Sequence, residues 1–255
     1  MRAGLRALAF GDIEAGSWGA AWMPDPGGSG SLAVHAAAGA AVTSAALRGS
    51  DPGEEWRLRG DSASLVLTPA GAPGSSGAEG SGMEGFDQLC RVTGRLLIHG
   101  VEQEVDCLGW REVRTGALDL DRIGSFRQVS AWFEPGEGLA LLALRPRKSK
   151  GQESDLLAAT VLDPEMTGAV ADPRLSTTYT ADGLPARAGL ELWLGKEDAK
   201  PADDESARYP RRAAGEAVGA GIDWTVAGFE LHARLLRWHA HGQDGAGVYM
   251  LGKRR

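Results

Sequence analysis

Two cysteines among 255 residues are too few for a disulfide framework. Cys90 and Cys107 fall near each other on a segment that reads as a hairpin, and in a reducing compartment they are most simply small buried hydrophobes. Long apolar runs are missing too: none reaches the length of a membrane span, so membrane insertion is not expected. Met1 to Phe10 holds two arginines and too few apolar residues for a signal peptide, which makes the cytoplasm the expected location. Positive charge is in deficit. The net charge is −7, and the basic clusters Arg145-Pro146-Arg147-Lys148 (with Lys150) and Lys253-Arg254-Arg255 are short and loop-like or terminal, which argues against nucleic acid as a partner.

Catalytic signatures are also scarce. There is no G-x-S-x-G elbow, Walker loop, C-x-x-C or H-E-x-x-H. Gly80 to Gly85 matches G-x-G-x-x-G, but a Gly/Ser-rich stretch precedes it and a strand follows, so no helix N-terminus would meet a pyrophosphate. His239 and His241 share one side of a strand, whereas Leu236, Trp238 and Ala240 take the other side. With no third ligand of matching parity, a solvated face is the better reading than a metal site. Neither a metal nor a cofactor is expected.

What the chain has in excess is glycine and tryptophan, 37 and eight residues. Glycine punctuates short strands, and tryptophan supplies large buried area. Apolar runs of strand length recur between turn signals, as in Leu5–Phe10, Ser17–Met23, Ser31–Ala37, Trp56–Arg59, Ser64–Thr68 and Leu190–Leu194, with almost no helical periodicity. Ala36–Ala46 is Ala-rich and could be helical, but Gly39 and Val42-Thr43-Ser44 speak against it. The clearest element is Gly85–Arg111. A two-residue turn at His99-Gly100 pairs Ile98 with Val101, Arg95 with Glu104 and Val92 with Cys107. That register places Val92, Leu96, Ile98, Val101, Val105 and Cys107 on one apolar face, with the Arg95–Glu104 charge pair on the other.

The same hairpin recurs at Gly228–Arg254. An offset of 143 residues matches Gly85/Gly228, Phe86/Phe229, Arg91/Arg234, Val105/Val248 and Arg111/Arg254, and His99-Gly100 meets His241-Gly242 after one gap. A weaker echo relates Ser17–Trp22 to Ser125–Trp132, and Leu32–Ala36 to Leu139–Ala143. The expected fold is therefore all-β, with two tandem antiparallel β-barrels, or barrel-like sandwiches, related by an internal repeat. The expected units are 1–114, with a flexible Gly/Ser loop at 69–85, and 115–255, with a polar connection at 196–215.

Functional candidates gather where the two units join. Trp110, Arg111, Arg127, Gln128 and Trp132 bring aromatic rings and bidentate donors to a junction of the kind that often holds ligands. Glu112 and Asp106 are the carboxylates placed to give or take a proton there, with Arg127 and Gln128 orienting a polar head group.

Phe10-Gly11-Asp12-Ile13-Glu14-Ala15-Gly16, the Gly85-Phe86-Asp87 hairpin with Val92-Thr93-Gly94, and a Gly-centred junction to a second β unit together resemble the two-domain lipocalin-like (calycin) proteins of the hydroxyneurosporene synthase and AttH group. The resemblance implies two calycin-type barrels side by side and an apolar polyene, isoprenoid or polyketide-like ligand handled without metal or nucleotide. It departs at the junction, where Leu108-Gly109-Trp110-Arg111-Glu112-Val113 carries no histidine, so a mechanism that uses one does not carry over. The expectation is a protein that binds a hydrophobic small molecule in a barrel or at the junction. The alternatives are a hydratase or cyclase acting on such a ligand, and a non-catalytic scaffold whose protein partner is unknown.

Overall fold

The computed structural model describes residues 4–24, 27–76, 83–116, 119–134, 136–149, 155–163, 168–194 and 210–255. The first sheet takes β1 (Leu5–Asp12), β2 (Ser17–Met23), β3 (Ser29–Ala36), β4 (Gly39–Arg48), β5 (Trp56–Gly60), β6 (Ala63–Pro69), β7 (Gly74–Ser75), β8 (Met83–Ile98) and β9 (Val101–Gly116). Its order is β6-β5-β4-β3-β2-β1-β9-β8-β7, and β6 also pairs with β8, which curls eight strands into a nearly closed barrel with β7 appended. The second sheet is a closed barrel of β10 (Ile123–Phe133), β11 (Glu137–Pro146), β12 (Leu156–Leu162), β13 (Gly168–Tyr179), β14 (Pro185–Leu194), β15 (Arg211–Val226), β16 (Phe229–Ala240) and β17 (Gln243–Arg254). Among the described residues there is no α-helix, only a 3-10 turn at Leu120–Arg122.

Side-chain alternation sorts the apolar residues into three cores. Leu8, Phe10, Leu32, Val34, Trp56, Leu58, Cys90, Val92 and Ile98 fill the first barrel. Val129, Leu141, Leu190, Leu236, Trp238 and Tyr249 fill the second. A third cluster lies between the barrels and holds Trp18, Trp22, Leu89, Trp110, Phe126, Trp132, Leu142, Trp224, Phe229 and Val248. Trp22 stacks on Phe126 with centroids 4.9 Å apart, and Phe229 meets both edge-on. This explains why β1 and β2 read as mostly apolar runs, with Arg6 and the terminal Asp12 of β1 the charged exceptions. One face serves a barrel interior and the other the neighbouring barrel, so the usual polar face is missing. Close packing also accounts for some of the glycine. A Cβ at Gly138 would stand 2.5 Å from the Trp110 ring.

The central hairpin has the expected register: Ile98 pairs with Val101, Arg95 with Glu104 and Val92 with Cys107. Its turn takes positive φ at both His99 (51°) and Gly100 (80°), and the second hairpin does the same at His241 (50°) and Gly242 (79°). Such a turn matches the twist of the flanking strands. At the tip Val101 is exposed, and the Arg95 side chain reaches Glu102 rather than Glu104. Cys90 and Cys107 are free and buried. His239 and His241 are exposed, opposite Trp238 and Ala240.

Three details of the repeat are corrected. Ala240 pairs with Gln243 as Ile98 pairs with Val101, so the hairpins superpose at an offset of 142, not 143. A one-residue slip reverses every side chain. Phe86 accordingly packs inside the first barrel against Trp56, whereas Phe229 points into the interface. The weaker echo is displaced by one strand, because β10 and not β11 pairs with the last strand, as β1 does in the first barrel. Trp18 and Trp22 of β2 resemble Phe126 and Trp132 of β10 because both strands feed the same interface. The Ala-rich stretch at 36–46 is strand, with β4 running Gly39–Arg48. Within 69–85, Gly74–Ser75 pairs with Phe86 and Asp87 and Met83 is buried, while 77–82 lie outside the described residues. Of the polar connection at 196–215, residues 196–209 lie outside the described residues and Arg211 opens β15.

Candidate functional site between the barrels

Strand β9 supplies both sides of the first barrel wall. Trp110, Glu112 and Arg114 face the second barrel, and Asp87 lies opposite Glu112 on β8. Two carboxylates thus meet in a dry interface. Asp87 is the fully served one. Trp110 Nε1 donates to its Oδ1 at 3.0 Å, Thr160 Oγ1 of the second barrel donates to Oδ2 at 2.6 Å, and Arg114 Nη2 reaches both oxygens at 2.8 and 3.0 Å. Burial acts to raise its pKa, but the Arg114 charge and these hydrogen bonds hold it below the ordinary carboxylate value. Glu112 accepts from Arg114 Nη2 at 3.1 Å on Oε2 and also hydrogen-bonds Asp87, while its buried Oε1 has no partner. Burial, and then the negative charge of Asp87, push the Glu112 carboxyl up to about 7. One proton shared by two facing acids is the arrangement that like charges at short range impose.

A groove of about 610 Å³ opens where the same interface reaches one end of the barrels. Ile13, Leu108, Trp132 and Ala246 form its apolar wall, and Glu14, Arg91, Asp106, Glu134 and Arg237 its charged rim. Two of the rim residues, Arg91 and Asp106, engage each other. The Arg91 Nε hydrogen bond holds Asp106 below the ordinary carboxylate range, and Asp12 accepts the backbone N–H of Glu14 and of Ala15. Burial pushes the Cys107 thiol up to about 12, so it carries no thiolate at neutral pH. Among the described residues, no three His, Cys, Asp or Glu side chains converge as metal ligands.

No family model and no curated protein matches the sequence. Solved structures do match. An AttH-type protein from Nitrosomonas europaea is 12% identical, with 99% of this chain and 93% of that one covered, at a TM-score of 0.60. CghA, in a structure with Sch210972, is 11% identical over 99% and 88% of the two chains, at 0.62. Kievitone hydratase from Nectria haematococca is 9% identical over 99% and 89%, also at 0.62. This is a tandem lipocalin-like fold. The identities carry the architecture and nothing finer.

In these tandem barrels the seven candidates part company. Asp106 and Trp132 meet in the groove. Trp110, Glu112 and Gln128 lie in the buried interface, and Gln128 shares its face with Leu142 and Met250. Arg111 turns into the first barrel. It donates to Gln88 Oε1 and to the carbonyls of Pro52, Glu54 and Leu67, and stacks over Trp56 at 4.7 Å. Arg127 turns the other way, into the mouth of the second barrel, where it binds Asp155. Asp87, Arg114 and Thr160 were missed. The first two were within reach: extending the Val92–Cys107 pairing by five residues sets Asp87 opposite Glu112, and the period of two carries Trp110-x-Glu112-x-Arg114 along one face. Thr160 comes from the other barrel, and no pattern in the chain announces it.

Proposed function

We propose that this protein holds an apolar small molecule of isoprenoid, polyene or polyketide-like build in the groove between its barrels. The observation that carries this reading is the groove itself, an opening of about 610 Å³ where both barrels contribute wall and rim. That volume falls in the range of small-molecule sites, roughly 300–1,000 Å³. Ile13, Leu108 and Trp132 offer the body of such a ligand its contact area, and Glu14, with the Arg91–Asp106 pair, offers a hydroxyl or amine end its partners. Both barrel interiors are occupied by their own side chains, which turns attention from the calyx to the junction. Titrating the protein with farnesol and with retinol, read by tryptophan fluorescence and melting temperature, tests the proposal. Saturable binding that weakens at least tenfold in Leu108→Asp is expected. Absence of any change with either probe, or equal affinity in the variant, would overturn it.

A second reading, hydration or cyclisation of such a ligand, is favoured by one observation, the Glu112 carboxyl poised near neutrality. Glu112 does not line the groove, so this chemistry requires the ligand to reach past Trp110. Turnover unaltered in the Glu112→Gln, Asp106→Asn double variant would remove both carboxylates from any such role.

A further inference from the structure

The open end of the second barrel carries a cluster that the inter-barrel reading leaves unused. β10 and β11 each send an arginine there, and both converge on Asp155, whose side chain is 3% exposed. Arg145 grips it with two hydrogen bonds, Nε to Oδ1 at 2.8 Å and Nη2 to Oδ2 at 3.1 Å. Arg127 makes a single bond, Nη2 to Oδ2 at 3.0 Å. Two guanidinium groups therefore share one carboxylate, and among the described residues the cluster keeps one positive charge in excess. Beside it a cavity of about 140 Å³ is walled by Ala143 and Leu251 and rimmed by Ser125 and Tyr179. At ~30 Å³ per molecule of liquid water this admits roughly five waters, or a head group of similar size. Tyr249 closes the inner side, its hydroxyl hydrogen-bonded to Thr177 Oγ1 at 3.0 Å and to the Tyr179 hydroxyl.

We infer that the mouth of the second barrel is a binding site for a small carboxylate, received by the spare guanidinium N–H groups of Arg127 and the Tyr179 hydroxyl beside the Arg145–Asp155 pair. The chemistry selects the ligand. A planar guanidinium presents parallel donors that match a carboxylate fork, and the excess charge calls for an anion rather than an alcohol or amide. Ala143 and Leu251 leave room for a short alkyl stem beside the charged head. Asp155 holds both arginines in place without neutralising them, so the pocket is formed before a ligand arrives. The site does not depend on the groove between the barrels, because Arg127 faces away from it.

Calorimetric titration with propionate, against propionamide and sodium chloride at matched ionic strength, tests the site. Millimolar propionate binding with none for propionamide is expected. Arg127→Gln is expected to weaken it at least tenfold, and Tyr179→Phe, a change at an exposed ring, severalfold. Equal responses to propionate and propionamide, or to propionate and chloride, would overturn the assignment. So would inorganic phosphate binding more tightly than propionate, or undiminished binding in a folded Arg127→Gln protein. Should Arg127→Gln fail to fold, the wild-type comparison and Tyr179→Phe carry the test unaided.

Discussion

Arg111 and Arg127 sit at the openings of the two barrels and use their guanidinium groups differently. Arg111 spends all five N–H donors on Gln88 and three backbone carbonyls, and covers the Trp56 ring. It is a plug, fully buried and fully satisfied. Arg127 makes one hydrogen bond, to a carboxylate it shares with Arg145, and stays in reach of solvent. The residue type is the same and the strands are neighbours in the chain, yet one arginine has every donor occupied by the protein and the other shares a single carboxylate. The number of donors the protein already occupies separates the two arginines, and the proposed carboxylate site rests on that difference.

The largest effect should come from breaking the plug. Arg111→Leu removes a buried cation and strands the Pro52 and Glu54 carbonyls and Gln88 without donors. A loss of about 3–5 kcal/mol is expected, read as a fall in urea midpoint. Arg111→Lys keeps the charge but not the fork, and should recover less than half of that loss. A drop below about 1 kcal/mol for Arg111→Leu would mean that the first barrel does not depend on its plug.

Next comes the seam between the barrels. Arg114→Leu leaves Asp87 and Glu112 facing each other across a dry interface with no cation, so about 3 kcal/mol should be lost at pH 7. Lowering the pH should restore part of it as the second carboxylate takes a proton. An Arg114→Leu protein equally destabilised at pH 5 and pH 8 would show that the two acids do not act on each other.

Much of the architecture was legible because it is written in short-range terms. His99-Gly100 and His241-Gly242 fix two turns, the period of two fixes the faces, and the apolar runs of β1 and β2 mark strands covered on both sides. The slipped repeat shows the limit of such reading. Matching Phe86 to Phe229 satisfies letter identity, but facing is set by the distance to the turn, and only the pairing shows that the two rings point opposite ways. The candidate site was half legible for a related reason. Clustering along the chain brought Trp110, Arg111 and Glu112 together with Arg127 and Gln128, yet adjacent strand residues face opposite layers. Arg111 and Arg127 were therefore bound to leave the junction on which Trp110, Glu112 and Gln128 converge. Thr160 joins Asp87 across the barrels through packing that no local signal encodes.

The smallest effect separates the two acids of the seam by their pH windows. In the folded chain Glu112 keeps its proton up to about 7, against 4.5 for an ordinary glutamate. Below 4.5 both folded and unfolded chains hold that proton, and the site makes no difference to stability. As the pH rises from there to 7, the unfolded chain gives the proton up freely while the folded chain resists, so stability declines across that window and levels off above it. Asp87 works in the opposite sense. Its lowered pKa contributes stability at neutral pH that is lost only in stronger acid, below the ordinary aspartate value of 3.8. Glu112→Gln removes the first dependence and leaves the second. The variant should show a flat stability profile between pH 5 and 8 where the parent slopes downward, gaining on the parent by an amount on the order of 2 kcal/mol at pH 8. Parallel slopes in the two proteins would mean that Glu112 titrates as an ordinary glutamate and would remove the one observation that favours the acid-base reading; a flat variant profile fixes Glu112 as the buried, protonated partner of Asp87.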